Sequence, residues 1–130
     1  GYPPMNLLSA RLRNDSIQAG PLYLTRPPDA PMFNQEQTLT VGLRPEDIAV
    51  SPATDTGAEG AGFGIVRLSE PSGPTLWVTA ELNDHDEVIT IIGSAQAGFV
   101  PKIGERVSVS APRATLHLFD PTTGLRLGSS

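Results

Sequence analysis

A strand that runs into a proline corner constrains this chain most. Thr38-Leu39-Thr40-Val41-Gly42-Leu43 alternates polar and apolar residues. A period of two marks a half-buried strand, with Leu39, Val41 and Leu43 on its inner face. Arg44-Pro45 ends the run, because proline donates no N–H to a ladder and restricts the residue before it. Glu46-Asp47 keeps the following turn wet, and Ile48 and Val50 resume the alternation. Strand, corner, strand follows from local chemistry alone.

The rest of the chain uses the same grammar. Gly 13 and Pro 13 are high for 130 residues, and with short alternating runs they favour an all-β barrel or sandwich over a helical bundle. We read the whole of residues 1–130 as one domain. No apolar run approaches the roughly 20 residues of a membrane-spanning helix, and no basic-then-apolar leader opens the chain. Cysteine is absent, which removes disulfides, thiolate nucleophiles and zinc–cysteine sites together. The net charge is −5, with one lysine (Lys102) and singly scattered arginines. Nucleic-acid binding needs a concentrated basic face and aromatic stacking platforms, so the net charge and 5% aromatic residues argue against an oligonucleotide-binding OB domain, and no nucleic-acid partner is expected.

In chain order, Gly1-Tyr2-Pro3-Pro4 reads as a linker entering a domain, with more chain expected upstream. Asn6, Leu8, Ala10 and Leu12 form one face of a first strand. Ile17 and Leu22-Tyr23-Leu24 are short strands broken by Gly20-Pro21. Residues 26–31 are a rigid proline loop, and Pro52 to Gly64 is a loop or glycine-rich arm. Ile65 to Leu68 is a strand, Glu70 to Pro74 a turn, and Leu76, Val78, Ala80 and Leu82 the inner face of the next strand. Asn83 to Asp86 turns into Val88 to Ile92, and Gly93 to Pro101 is a small-residue connection. Val107 and Val109, then Thr115 to Phe119, then Leu125 to Leu127 complete eight to ten short strands, enough for one or two small OB-type barrels.

Motifs for chemistry are missing. There is no G-x-x-x-x-G-K-[ST], no G-x-S-x-G and no H-E-x-x-H. His85 among Asp84, Asp86 and Glu87 reads as a hairpin turn rather than a metal cluster, since turns favour Asn and Asp for their own backbone bonding. Trp77 falls on the outer side of its strand by alternation. Either it contacts another surface, because exposing it alone wastes apolar area, or its sheet is covered on both faces. His117 reads as an outward strand residue or a hydrogen-bonded interface residue, and Arg44 as an ion-pair anchor at the strand end or an ordinary exposed arginine.

Three ordered stretches carry a resemblance: Tyr2-Pro3-Pro4-Met5-Asn6-Leu7-Leu8, Val41-Gly42-Leu43-Arg44-Pro45-Glu46-Asp47, and His117-Leu118-Phe119-Asp120-Pro121-Thr122-Thr123-Gly124-Leu125-Arg126-Leu127. Together they resemble the C-terminal regulatory domain, of TOBE type and OB-like, of the ATP-binding subunits of carbohydrate-type ABC importers. The resemblance covers nearly the whole chain. It implies a regulatory and dimerising domain on the cytoplasmic side of the plasma membrane. The partners implied are a second copy of the subunit, the transporter's membrane subunits through the ATPase domain, and cytoplasmic regulatory proteins. It also implies no cofactor in this chain and no enzyme activity, because ATP and magnesium would belong to a cassette domain not contained in it. Arg44, Glu46, Trp77, His117 and Phe119 are the interface or regulatory candidates. An alternative is an oxyanion module of the molybdate-binding type. Ser9-Ala10-Arg11 is similar to the start of such domains, although no Asn follows Arg11.

Overall fold

The computed structural model describes residues 3–13, 16–25, 37–54, 61–84, 87–111 and 115–129. The first part is a sheet built from β1 (Asn6–Arg13), β2 (Ser16–Ala19), β3 (Leu22–Thr25) and β4 (Gln37–Leu43). The chain then turns through a single 3-10 turn, Pro45–Asp47, with Pro45 at its start. It continues as β5 (Ala49–Pro52), β6 (Gly62–Ser72), β7 (Thr75–Asp84), β8 (Glu87–Ala95) and β9 (Arg106–Ser110). The last two strands, β10 (His117–Phe119) and β11 (Arg126–Ser129), return to the first sheet. That sheet has six strands in the order β11-β10-β4-β1-β2-β3, and the middle strands close a barrel in the order β5-β8-β7-β6-β9. The all-β expectation holds, with one closed barrel and one sheet rather than two barrels.

Alternation places the core as read. Leu8, Ala10, Leu12, Leu39, Val41 and Leu43 are buried from the sheet, and Ile48, Val50, Val78, Ala80, Leu82, Val107 and Val109 from the barrel, all in one continuous apolar cluster. Two units that share a core do not separate without exposing it, so apolar burial joins sheet to barrel.

Three boundaries differ from expectation. Gly62 to Gly64 belong to β6, pairing with β9 through Gly62–Val109, Phe63–Ser108 and Gly64–Val107. Barrel backbones pass so close there that a Cβ on Gly64 would lie 2.9 Å from the Glu81 carbonyl oxygen. The turn expected at Glu70 to Pro74 tightens to residues 73–74, because Pro71 stays in strand and pairs with Leu76. Beyond Val66, whose N–H still donates to the Glu105 carbonyl at 2.9 Å, β6 is registered with β7 alone, an edge where proline's missing N–H costs no ladder bond. Gly93, Ser94 and Ala95 extend β8 instead of starting a connection, since Ser94 and Ala95 pair in parallel with Ala49 and Val50 of β5.

Candidate functional site

On β4, Leu39, Val41 and Leu43 point inward, so Thr40 and Gly42 point to the other face of the sheet. Register carries that face across three strands. Gly42 stands opposite Leu7 on β1 and His117 on β10, and Thr40 opposite Ser9 and Phe119. Phe119 in turn pairs with Arg126 on β11, whose guanidinium carbon lies 5.4 Å from the Phe119 ring centre. Arg44 follows on from Gly42 at the corner, exposed, and its carbonyl oxygen accepts the Asp47 N–H at 3.0 Å. Leu7 and Tyr23 are exposed on the same face.

The fold therefore brings Arg44, His117 and Phe119 to one end of one sheet face. Glu46 is exposed in the adjoining turn. Trp77 does not join them: it is on β7, paired with Glu70 and Ser94 in the barrel. It is only 7% exposed although its neighbours Val78, Ala80 and Leu82 take the barrel interior. Of the two readings left open by the sequence, the covered one is correct, and Trp77 presents no free contact surface.

His117 takes the outward side of β10, as its alternation with Leu116 and Leu118 predicts, but it is covered there. It is 8% exposed, and neither ring nitrogen has a hydrogen-bond partner among the described residues. Burial disfavours the charged imidazolium, and the nearby Arg126 and Arg44 add to that, with Asp47 opposing. The net effect holds its pKa below the ordinary histidine value.

The C-terminal hairpin is shaped by its own turn. The Thr122 and Thr123 N–H groups donate to Asp120 Oδ1 at 2.8 and 2.9 Å. Those bonds, Thr123's first, lower the pKa of the Asp120 carboxyl. Gly124, at φ +75°, completes the turn and donates its N–H to the Asp120 carbonyl at 2.9 Å.

Sequence reasoning missed two residues that matter here. Alternation puts Asn6 on the inner face of β1 without indicating what it does there. Its Nδ2 donates to the Leu43 carbonyl at 3.1 Å and to the Ile92 carbonyl at 2.9 Å, and its Oδ1 accepts the Ile92 N–H at 2.8 Å. A polar side chain amid an apolar face was the signal, because burial requires it to find partners. Gly42 is the second. A Cβ there would run into the Met5 sulfur and lie 3.2 Å from Phe119 Cε2. Met5 is flexible at its tip, so Gly42→Val is expected to cost about 1–2 kcal/mol and lower the melting temperature without abolishing folding. An unchanged melting curve would show that β10 does not pack on β4 in this way.

A shallow concavity of about 400 Å³ lies on the barrel between β6, β7 and β9. Arg106 stacks over Phe63 at 4.1 Å, and Glu81 is bonded by Arg67, so both of its charges are already engaged. His85 and Asp86 of the acidic hairpin turn lie outside the described residues. Among the described residues no group of three or more His, Asp or Glu is placed to hold a metal, and no helix is long and apolar enough to cross a membrane. Ser9 and Arg11, which suggested an oxyanion module, sit on β1, whereas Lys102 lies between β8 and β9 in the barrel region, so they belong to different parts of the fold.

Comparison with known proteins supplies the context for this face. The MalK OB fold domain matches residues 1–48 and the TOBE domain residues 41–119, so the two overlap on the corner that joins sheet to barrel. The chain is 29% identical to the sn-glycerol-3-phosphate import ATP-binding protein UgpC 2 of Agrobacterium fabrum, over 98% of this chain and 32% of the relative. It is 31% identical to UgpC of Ralstonia nicotianae, over 98% of this chain and 35% of the relative. It is also 30% identical to the xylose/arabinose import ATP-binding protein XacK of Haloferax volcanii, over 95% of this chain and 32% of the relative. The chain thus spans about a third of the length of the curated relatives it matches. It belongs to the TOBE domain family, with the MalK OB fold domain at its N-terminal end.

Proposed function

We propose that the chain is the regulatory and dimerisation domain of an ATP-binding protein that energises import of sugars or related solutes. The observation that carries this reading is the match of nearly the whole chain to a third of several import ATP-binding proteins. In this reading the ATP and magnesium sites belong to a cassette domain outside the chain, and this domain performs no chemistry. The parent protein works at the cytoplasmic face of the membrane with the transporter's membrane subunits, and this domain meets its own counterpart in a second copy or a cytoplasmic regulatory protein.

The exposed sheet face supports a self-associating role. Leu7, Tyr23 and Phe119 give it apolar area, and Arg44 and Arg126 give it a charged rim. Aromatic and arginine side chains dominate interface energetics, so their truncation has large effects. In the ATPase-containing protein, Phe119→Ser or Arg44→Glu is expected to weaken dimerisation about tenfold, the equivalent of roughly 1.4 kcal/mol. Sedimentation of the intact protein measures it. Unchanged self-association together with unchanged transport would remove these residues from the role.

A further inference from the structure

Among the described residues, His117 is an anomaly. It is a buried imidazole with both nitrogens unpartnered among the described residues, although most buried side-chain polar atoms have a partner. It lies at a lightly held place. Its strand β10 is three residues long and meets β4 through only three registered pairs, His117–Gly42, Leu118–Val41 and Phe119–Thr40. On the other side, β10 pairs with β11 through a register shift between Leu118 and Phe119. The hairpin's turn is closed by its own bonds, from Asp120 N to the Leu125 carbonyl and from Gly124 N to the Asp120 carbonyl. The bonds that close the turn lie within the hairpin, whereas its hold on the rest of the sheet is the three pairs with β4 and the packing of Leu116, Leu118 and Leu127 on the core.

We propose that the β10–β11 hairpin is an acid-sensitive latch, in which protonation of His117 loosens the hairpin from β4 and uncovers the β4 edge. The charges that face His117 come from each neighbouring element: Arg126 on β11, Arg44 at the end of β4, and Asp47 in the 3-10 turn. On β1 the residue in register with the same point is Leu7, which carries no charge. Two guanidinium groups against one carboxylate make a poor home for an imidazolium, and burial denies it water. The undocked hairpin takes up the proton more readily than the docked one. Docking is therefore at full strength above the ordinary histidine pKa and weakens as pH falls below it. A bared β4 edge offers unpaired N–H and C=O groups to another strand, which gives the opening a readable consequence. This inference does not depend on the importer reading.

Amide hydrogen exchange of the chain tests it, with protection corrected for the intrinsic pH dependence of exchange. Between about pH 7.5 and about pH 5, protection of Leu118 and Phe119 is expected to fall severalfold, as local opening of the hairpin becomes easier. Val78 and Ala80 in the barrel are expected to keep theirs, and His117→Gln is expected to remove the pH dependence at Leu118 and Phe119. Unchanged protection in the native chain, an equal fall in the barrel, or the same fall in the variant would overturn the proposal. If His117→Gln does not fold, the native chain still decides. A His117 ring titration by NMR with its midpoint below the ordinary value, coincident with changes at Leu118, is expected. A titration that leaves Leu118 unmoved overturns the latch.

Discussion

Replacing Gly93 with alanine is expected to destabilise the chain by about 3 kcal/mol, and with valine to prevent the barrel from closing. Glycine is a poor strand residue by propensity, so a gain from alanine would be the ordinary expectation. Contact reverses the sign. A Cβ at Gly93 would lie 2.9 Å from the Ile48 carbonyl oxygen and 2.6 Å from Ile48 Cγ2. The carbonyl is backbone and cannot swing away, and Ile48 is fully buried. The same carbonyl accepts the Ser94 N–H at 2.9 Å, and Gln96 N–H donates to the Val50 carbonyl at 2.8 Å. These bonds form the parallel seam between β5 and β8 that closes the barrel. A side chain at Gly93 separates the strands at that seam. Urea denaturation measures the loss, with the midpoint falling at constant slope. An unaltered midpoint for Gly93→Ala would show that the seam is not packed this tightly.

The second large effect belongs to Asn6. Asn6→Leu keeps the branched shape, though not the volume, and removes all three hydrogen bonds, which leaves the Ile92 N–H and the Leu43 and Ile92 carbonyls short of a partner in a mostly dry place. At about 1 kcal/mol net for each bond, and more where a group is left unsatisfied, the expected loss is about 3 kcal/mol. Asn6→Asp is expected to be harmed at neutral pH as well, since a carboxylate accepts from Ile92 N–H but sets its charge against two carbonyl oxygens. Because Asn6 on β1 bonds to Leu43 on β4 and to Ile92 on β8, the damage falls on the joint between sheet and barrel. Equilibrium unfolding in urea checks this, and a stability equal to that of the native chain would mean that water already satisfies these groups.

Much of the molecule was legible from residue patterns. The alternation of Leu39, Val41 and Leu43, and of Val78, Ala80 and Leu82, gave the correct inner faces, because the strand's period is a local property of the backbone. Pro45 marked the corner for the same local reason. Trp77 and His117 were read less well. Alternation says which side of a strand a residue takes, but not whether another part of the chain covers that side. Both are buried, one on β7 and the other on the sheet's outer face.

By itself the sequence determined element type, the corner after β4, the inner faces and the family to which the chain belongs. Those properties lie in short-range spacing and in the order of the motifs. Only the tertiary structure decided that β10 and β11 return to the first sheet, that Gly93 ends in a parallel seam, and that Asn6 holds sheet to barrel. Each of these rests on a pairing between residues far apart in the chain. Such pairings are chosen by which apolar faces bury together and which buried polar groups find partners, and no local window contains that information.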